Sequence, residues 1–298
     1  MQARCYTQYL AEPSRSGKGS RLMTKPELQF TIHGDIPDSF RQELKQQLEE
    51  CYERLPTSGL EVVQVRLLDS VHRLRQFLAA EHAELGIASP LGTEFLALHD
   101  AWRGVPRITV CRERLAEAPH LVSLGAIRQQ VAHSILHGSP EYYTFKLSRN
   151  LVEKAQERGL APVALQQLLY YVAIAVKDYE VVRLLVTHGY VDCQAALAFH
   201  QLEPSEEDRL AWQLAQLNPV ARLICLASQL KLLLSLRPLV TKPSIAPGLI
   251  QQARAMLSFL PLEEQDRLWA LTQKIATVME DNTHQNIAAA LQLTLEIL

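Results

Sequence analysis

The sequence predicts an α+β protein in which a small mixed sheet with packed helices is followed by an all-helical half. Up to about residue 145, short β-type runs alternate with segments in which apolar residues recur at helical spacing. Beyond about residue 150 only the helical spacing remains, and prolines separate the segments. Hydrophobic residues make up 48% of the 298 positions, which is enough to bury a core and excludes a disordered chain.

The first half is expected to begin with a strand, a helix, a strand and a helix. The run Leu28–His33 is short and apolar, and Leu60–Leu68 is rich in β-branched residues, so both predict strands. Between them, apolar positions at helical spacing follow Asp38 and Ser39, either of which can cap a helix N-terminus. Val71–Leu85 returns to the helical period and predicts the second helix.

A hairpin and a third helix complete the first half. Phe95–His99 and Val105–Cys111 are apolar runs separated by a short turn-like segment, which is typical of two antiparallel strands. A helix is then expected from near Ser123 to the break at residues 138–140, which read Gly-Ser-Pro. This order of elements predicts an α/β layer built on a small sheet.

The second half is expected to contain helices and no strand. The predicted helices cover residues 163–187, 191–201, 206–215, 219–237, 245–259, 262–280 and 283–297. The domain boundary is expected near residues 145–160. Residues 1–25 lack periodicity and are interpreted as a disordered N-terminal arm, residues 26–145 as the α/β domain and residues 146–298 as the helical domain.

Composition argues against several classes of protein. A net charge of -2 gives no electrostatic case for binding nucleic acid. The most apolar stretch, Val220–Val240, contains three cations, so a buried helix is favoured over a membrane span. Five cysteines without a CxxC pair are typical of a reducing compartment, and a cytoplasmic location is expected.

The segment Arg128–Tyr143 (RQQVAHSILHGSPEYY) contains the residues that could carry chemistry. His133 and His137 are four residues apart, so on a helix they project from one face and can share a metal ion. A zinc hydrolase of the H-E-x-x-H type needs a glutamate beside the first histidine as general base. Ser134 stands in that place, and a serine cannot accept a proton near neutral pH as a carboxylate does.

A second register of the same motif is open. Gln129 and Gln130 would then replace the first histidine and the glutamate, with His133 as the second histidine. Gln130 would keep the shape of the base position without its charge, and Gln129 would be a poor zinc ligand. Positions 129, 133 and 137 share one helical face, so the spacing does not choose between the registers.

Over residues 26–145, the predicted order of elements and this motif together resemble the zincin-type metallopeptidases. In that family the active-site helix follows a small mixed sheet, and the strand before the helix forms the rim of the substrate cleft. The resemblance implies a zincin-like fold with a degenerate catalytic motif, because neither register keeps the catalytic carboxylate. Glu141 is the candidate for a third ligand or base.

Three functions are compatible with this interpretation. The favoured one is a non-catalytic, degenerate metallopeptidase that binds a peptide or protein partner and needs no cofactor. Its binding residues would be Gln129, Gln130, His133, His137 and Glu141. The first alternative is an active metal-dependent hydrolase that holds zinc through His133 and His137. The second alternative is a helical scaffold or assembly protein in which residues 26–145 only resemble a peptidase. Apart from these functions, His137 also has a purely structural interpretation, in which it complements the dipole at the helix end.

Overall fold

A computed structural model describes residues 25–57, 59–85 and 94–298 of the chain. It confirms the predicted fold class, since a small mixed sheet with helices is followed by a half whose described elements are all helices. The expectation of a disordered arm over residues 1–25 lies, apart from Lys25, outside the described residues.

The first half follows the predicted order. Its elements are β1 (Glu27–His33), α1 (Asp38–Arg54), β2 (Val62–Leu68), α2 (Val71–Leu85), β3 (Ala97–Asp100), β4 (Arg107–Cys111), α3 (Arg112–Glu117) and α4 (His120–Leu136). Helix α3 was not predicted, because six mostly polar residues with one buried leucine give no periodic signal.

Two predicted helix starts are wrong in detail. Helix α1 is preceded by Pro37 at the N-cap position, and neither Asp38 nor Ser39 caps it through a side chain. Helix α4 begins at His120 rather than near Ser123, because the carbonyl of Pro119 already accepts hydrogen bonds from the backbone at residues 122 and 123. Proline fixes its own φ near the value needed at a helix entrance, so it replaces a polar cap at both sites.

The sheet has the strand order β1-β2-β4-β3. Strands β1, β2 and β4 are parallel, and β3 pairs antiparallel with β4, which confirms the predicted hairpin. Val63, Val65 and Leu67 on the central strand β2 are fully buried, as expected for a strand covered on its inner face. Strand β3 is therefore an edge strand, and α4 follows the sheet after the short helix α3.

Nine helices form the second half within the described residues. They are α5 (Arg149–Glu157), α6 (Pro162–Thr187), α7 (Val191–Gln201), α8 (Glu206–Ala215), α9 (Pro219–Ser228), α10 (Leu230–Ser235), α11 (Ala246–Met256), α12 (Leu262–Thr277) and α13 (Thr283–Ile297). The helix predicted over 219–237 is instead divided at Gln229, whose N–H bonds three residues back to Leu226 rather than four. The helix predicted over 245–259 ends in a separate 3-10 turn, Leu257–Phe259.

The apolar stretch Val220–Val240 lies in the core of the helical half, with Leu226, Leu230 and Leu233 fully buried. Within the described part of the chain, no single helix combines the length and apolarity needed to cross a membrane. Helices α5 and α6 reach those limits only when counted together, and the chain bends by 114° between them.

Helix α6 contributes to the cores of both halves. Leu168 and Val172, toward its N-terminus, pack in the helical core, whereas Val181 and Leu185, toward its C-terminus, pack in the core beneath the sheet. Helix α7 also reaches the sheet core through Cys193. Shared helices hold α4 against the helical half, and this contact positions the site described below.

Close packing of α4 on α7 depends on Gly125. A Cβ atom at this position would overlap the backbone carbonyl oxygen of Cys193, and backbone cannot move aside as a flexible side chain can. We expect Gly125→Ala to lower the free energy of unfolding by about 1–2 kcal/mol, measured by urea denaturation. Gly248→Ala, where the nearest atom is the ring tip of Phe199 at 3.2 Å, is the control and should cost less than that. Equal midpoints for the two variants would contradict the packing argument.

Candidate functional site

A cavity of about 1310 Å³ lies between the two halves. Strand β3 and helix α4 form its wall on the sheet side, and α6, α10 and the segment after α4 form the wall on the helical side. Its volume is above the range usual for a small-molecule site, so it has room for an extended ligand.

Four of the five binding residues predicted from the sequence line this cavity. They are Gln129, Gln130, His133 and His137. The Gln129 amide donates a hydrogen bond to Oε1 of Gln194 on α7 at 3.1 Å. The Gln130 amide donates to the carbonyl of Ala126, one turn earlier in the same helix, at 3.1 Å.

The structure places Glu141 and Ser134 away from the cavity. Glu141 is exposed in a 3-10 turn, Pro140–Tyr143, and its carboxylate accepts a hydrogen bond from the hydroxyl of Ser139 at 3.1 Å. Ser134 is buried on the sheet side of α4, where its hydroxyl donates to the carbonyl of Val131 and accepts from Tyr52, each at 2.7 Å. Glu141 is therefore not brought to the histidines, and Ser134 has no direct contact with a ligand in the cavity.

The two histidines belong to a continuous chain of hydrogen bonds. His133 Nε2 is 3.1 Å from Oδ1 of Asp178, the Nδ1 atoms of His133 and His137 are 3.3 Å apart, and His137 Nε2 is 2.9 Å from Oε2 of Glu180. Both carboxylates come from α6, so the chain crosses from one half of the protein to the other. His137 is 1% exposed and Glu180 is 6% exposed.

The first turn of α13 completes the surroundings of Glu180. The hydroxyl of Thr283 donates to its Oε2 at 2.8 Å, and the amide of Asn286 donates to its Oε1 at 2.6 Å. A buried carboxyl group is tolerated only when its oxygens are satisfied in this way. The hydrogen-bond chain therefore joins α4, α6 and α13.

The number of hydrogen bonds determines how many protons this chain of side chains holds. Three hydrogen bonds between Asp178, His133, His137 and Glu180 need three protons, whereas two neutral imidazoles supply only two. Burial raises the pKa of Glu180 despite the hydrogen bonds from Asn286 and Thr283, and burial holds the pKa of His137 well below its usual value. Both shifts favour a neutral pair over an ion pair, with the shared proton on the carboxyl group of Glu180 and His137 as its acceptor.

The Asp178 end of the hydrogen-bond chain is ionised. Burial works to raise the pKa of Asp178, but the hydrogen bond from His133 and the charge of Lys231 outweigh it, so the pKa is lowered. Lys231 Nζ lies 3.9 Å from the second oxygen of this carboxylate. The charged Asp178 end of the hydrogen-bond chain thus faces the cavity, and the Glu180 end lies in the interior.

A third histidine, His99 on β3, stacks on His133 with 5.9 Å between ring centroids and 7° between ring planes. Its Nε2 atom is buried and has no hydrogen-bond partner. Burial, followed by the charges of His133 and His137, holds its pKa well below the usual value. His99 is therefore a neutral side chain at the cavity wall with one unsatisfied polar atom.

Sequence reasoning missed Asp178, Glu180 and His99. A signal for the carboxylates was present, since α6 is free of charge from Pro162 to Val176 and then has Lys177, Asp178 and Glu180 within four positions. A helix as apolar as α6 is expected to be buried, and a charged side chain that is buried with it requires a partner. The sequence gives no such signal for His99, which becomes notable only through its stacking on His133.

The histidines do not form a zinc site of the usual composition. In the described residues, no group of three or more His, Cys, Asp or Glu side chains is placed to hold a metal ion. Structural zinc takes four protein ligands and catalytic zinc takes three plus a water. The Nε2 atoms of His133 and His137 are hydrogen-bonded to Asp178 and Glu180, and no reaction step is assigned to a metal here.

Comparison of the chain with protein-family models, with curated proteins and with solved structures gives no match. The geometry of the cavity and the chemistry of the side chains that line it are therefore the basis for inferring function.

Proposed function

We propose that this protein is a zincin-like protein without peptidase activity that binds an extended peptide in the cavity along β3. The observation that carries the proposal is the position of β3, an edge strand that lines the cavity beside the motif helix α4. The function is binding rather than cleavage, because the catalytic carboxylate of the motif is missing in both registers.

The sheet topology supports the zincin-like part of the proposal. Three parallel strands are followed at the edge by one antiparallel strand, and α4 packs against the sheet through β3 and β4. The resemblance implies a motif helix after a small mixed sheet, with the strand before the helix as the rim of the cleft. That strand is β4, which lies inside the sheet, so the proposal assigns the rim to the edge strand β3 instead.

The free edge of β3 supports a peptide as the ligand. Strand β3 pairs with β4 on one side, and no other described strand pairs with it. An edge strand presents unpaired backbone N–H and C=O groups, and an extended peptide can satisfy them as an added strand. Leu98 of β3 and Ile174 and Leu232 across the cavity provide apolar walls for peptide side chains.

The side chains near the histidines support the absence of cleavage. Gln130 faces the cavity but carries an amide, and Ser134 is turned toward the sheet core. Asp178 is a carboxylate that does reach the cavity, but it is already bound by His133 and faces Lys231. None of these groups is both a carboxylate and free to accept a proton from an attacking water.

The proposal is tested with a pool of random-sequence hexapeptides and the full chain on a solid support. Wild-type protein is expected to retain members of the pool, and mass spectrometry should find their masses unchanged. Ile174→Trp fills the cavity from α6 and should abolish retention. Val163→Trp adds the same ring at an exposed position in the first turn of the same helix, and it should retain the pool like the wild type.

Two outcomes would contradict the proposal. Shortened peptides would support the active hydrolase instead, provided that cleavage is lost in His133→Ala. Equal retention by wild-type protein and Ile174→Trp would mean that peptides bind elsewhere than in the cavity.

A further inference from the structure

A lysine ammonium lies in the cavity at the carboxyl end of β3. Lys177 on α6 donates a hydrogen bond from Nζ to the carbonyl of Tyr142 at 3.4 Å, and Nζ lies 5.0 Å from the ring centroid of Tyr143. The hydroxyl of Tyr143 accepts a hydrogen bond from the backbone N–H of Ala101 at 2.9 Å. Ala101 follows the last residue of β3, so Tyr143 fixes the ammonium relative to the end of this strand.

This ammonium has no acidic partner among the described residues, since no salt bridge within 4.0 Å involves Lys177. Its neighbours in sequence are already engaged, Asp178 by His133 and Glu180 by Asn286 and Thr283. Burial lowers the pKa of Lys177, although the charges of Asp178 and Glu180 oppose the shift. A half-buried cation without an anion is unfavourable and is stabilised by any carboxylate that reaches it.

Other half-buried cations of the cavity wall are paired. Arg107 donates to Asp100 at 2.8 Å and to Glu81 at 2.7 Å, which leaves no excess positive charge in this group for a ligand. Lys146 also lines the cavity without an ion pair to any described residue, but it is exposed, so Lys177 is the unpaired cation of the half-buried part of the wall.

The second observation is the unsatisfied Nε2 atom of His99. His99 and Lys177 both line the cavity, and the lysine charge contributes to the low pKa of the imidazole, after burial and the other two histidines. A ligand carboxylate has two oxygens and could accept one hydrogen bond from the ammonium and one from the imidazole.

We propose that the cavity recognises the C-terminal carboxylate of its peptide, with Lys177 Nζ and His99 Nε2 as the recognising groups. This inference rests on the proposed function, because it names the part of the peptide that the cavity selects. A peptide along β3 with its carboxylate at this point runs in the same direction as the strand.

The experiment compares two hexapeptide pools of the same random composition, one with free C-terminal carboxylates and one with C-terminal amides. Wild-type protein should retain the acid pool at least about tenfold more strongly than the amide pool, as expected for a charge-assisted hydrogen bond. Lys177→Met should lose this preference and Lys177→Arg should keep most of it. Lys274→Met removes an exposed lysine of α12 that does not line the cavity, and it should behave as the wild type.

The comparison of pools on wild-type protein is decisive even if Lys177→Met fails to fold. Equal retention of both pools would overturn the carboxylate inference and leave the proposed function standing. Retention of neither pool would overturn both. Retention of laurate with retention of neither pool would show a carboxylate site for a lipid acid, and it would overturn the peptide as the source of the carboxylate.

Discussion

Replacing Glu180 by leucine is expected to lower the free energy of unfolding by about 3–5 kcal/mol. The carboxyl group is 6% exposed and is hydrogen-bonded to His137, Thr283 and Asn286. Leucine has a similar volume but no polar atom, so it leaves the buried His137 Nε2 and the Thr283 hydroxyl without this partner, and the Asn286 amide keeps only its bond to the Glu280 carbonyl. Urea denaturation at pH 7, followed by circular dichroism, measures the change.

Glu180→Gln is the matched control for this substitution. Its carboxamide oxygen can accept from Asn286, and its two amide protons can be donated to His137 and Thr283. Because burial raises the pKa of Glu180 and favours its neutral form, the glutamine resembles the native state and should cost less than about 1.5 kcal/mol. If both substitutions cost the same, Glu180 is ionised in the folded protein and the assigned position of the third proton is wrong.

The second prediction concerns pH. Between pH 7 and pH 5, the wild-type protein is expected to lose more stability than His99→Phe, by about 2 kcal/mol. Burial holds the folded-state pKa of His99 well below 6.5, so the unfolded chain binds a proton at this histidine where the folded protein does not. The stability from neutral His99 is therefore fully present above about pH 6.5, and it falls as the pH drops toward the folded-state pKa. The limiting slope is about 1.4 kcal/mol per pH unit for one histidine.

Comparison of variants isolates this effect from other titrating groups. His137 has a lowered pKa and adds a loss in the same direction, whereas the raised pKa of Glu180 acts in the opposite sense, since its stabilisation is lost as the pH rises. Both groups remain in His99→Phe, so their contributions cancel in the difference. Leu98→Phe adds a ring at the neighbouring position of β3 and should keep the pH dependence of the wild type. A His99→Phe variant with that same dependence would show that His99 is protonated equally in both states.

The hydrogen-bond chain also has a consequence for how the two halves are joined. His133 lies in α4 and His137 directly follows the last residue of that helix, whereas Asp178 and Glu180 come from α6, and Glu180 is held in turn by α13. A ligand that contacts Asp178 or His133 in the cavity is therefore connected by hydrogen bonds to the packing of the helical half.

Local periodicity was sufficient to predict most elements of this fold. The strand-helix alternation of the first half and helices such as α2, α7 and α8 are confirmed at their predicted bounds or within two residues of them. The predicted elements are wrong where the apolar pattern is too short to show a period, or where it fits one long helix as well as two shorter ones. Helix α3 is too short to show a period, and the break at Gln229 lies inside an unbroken apolar pattern.

The sequence by itself determined that Gln129, His133 and His137 share one face of a helix, because helical geometry fixes the direction of side chains four residues apart. Only the tertiary structure decided what that face meets. Packing brings four other side chains to this helix segment: Asp178, Glu180, Lys177 and His99. All four lie on other elements, at least thirty residues away along the chain. Side-chain periodicity is a local property of the backbone, whereas the partner of a buried charge is chosen by the non-local packing of α6 against α4.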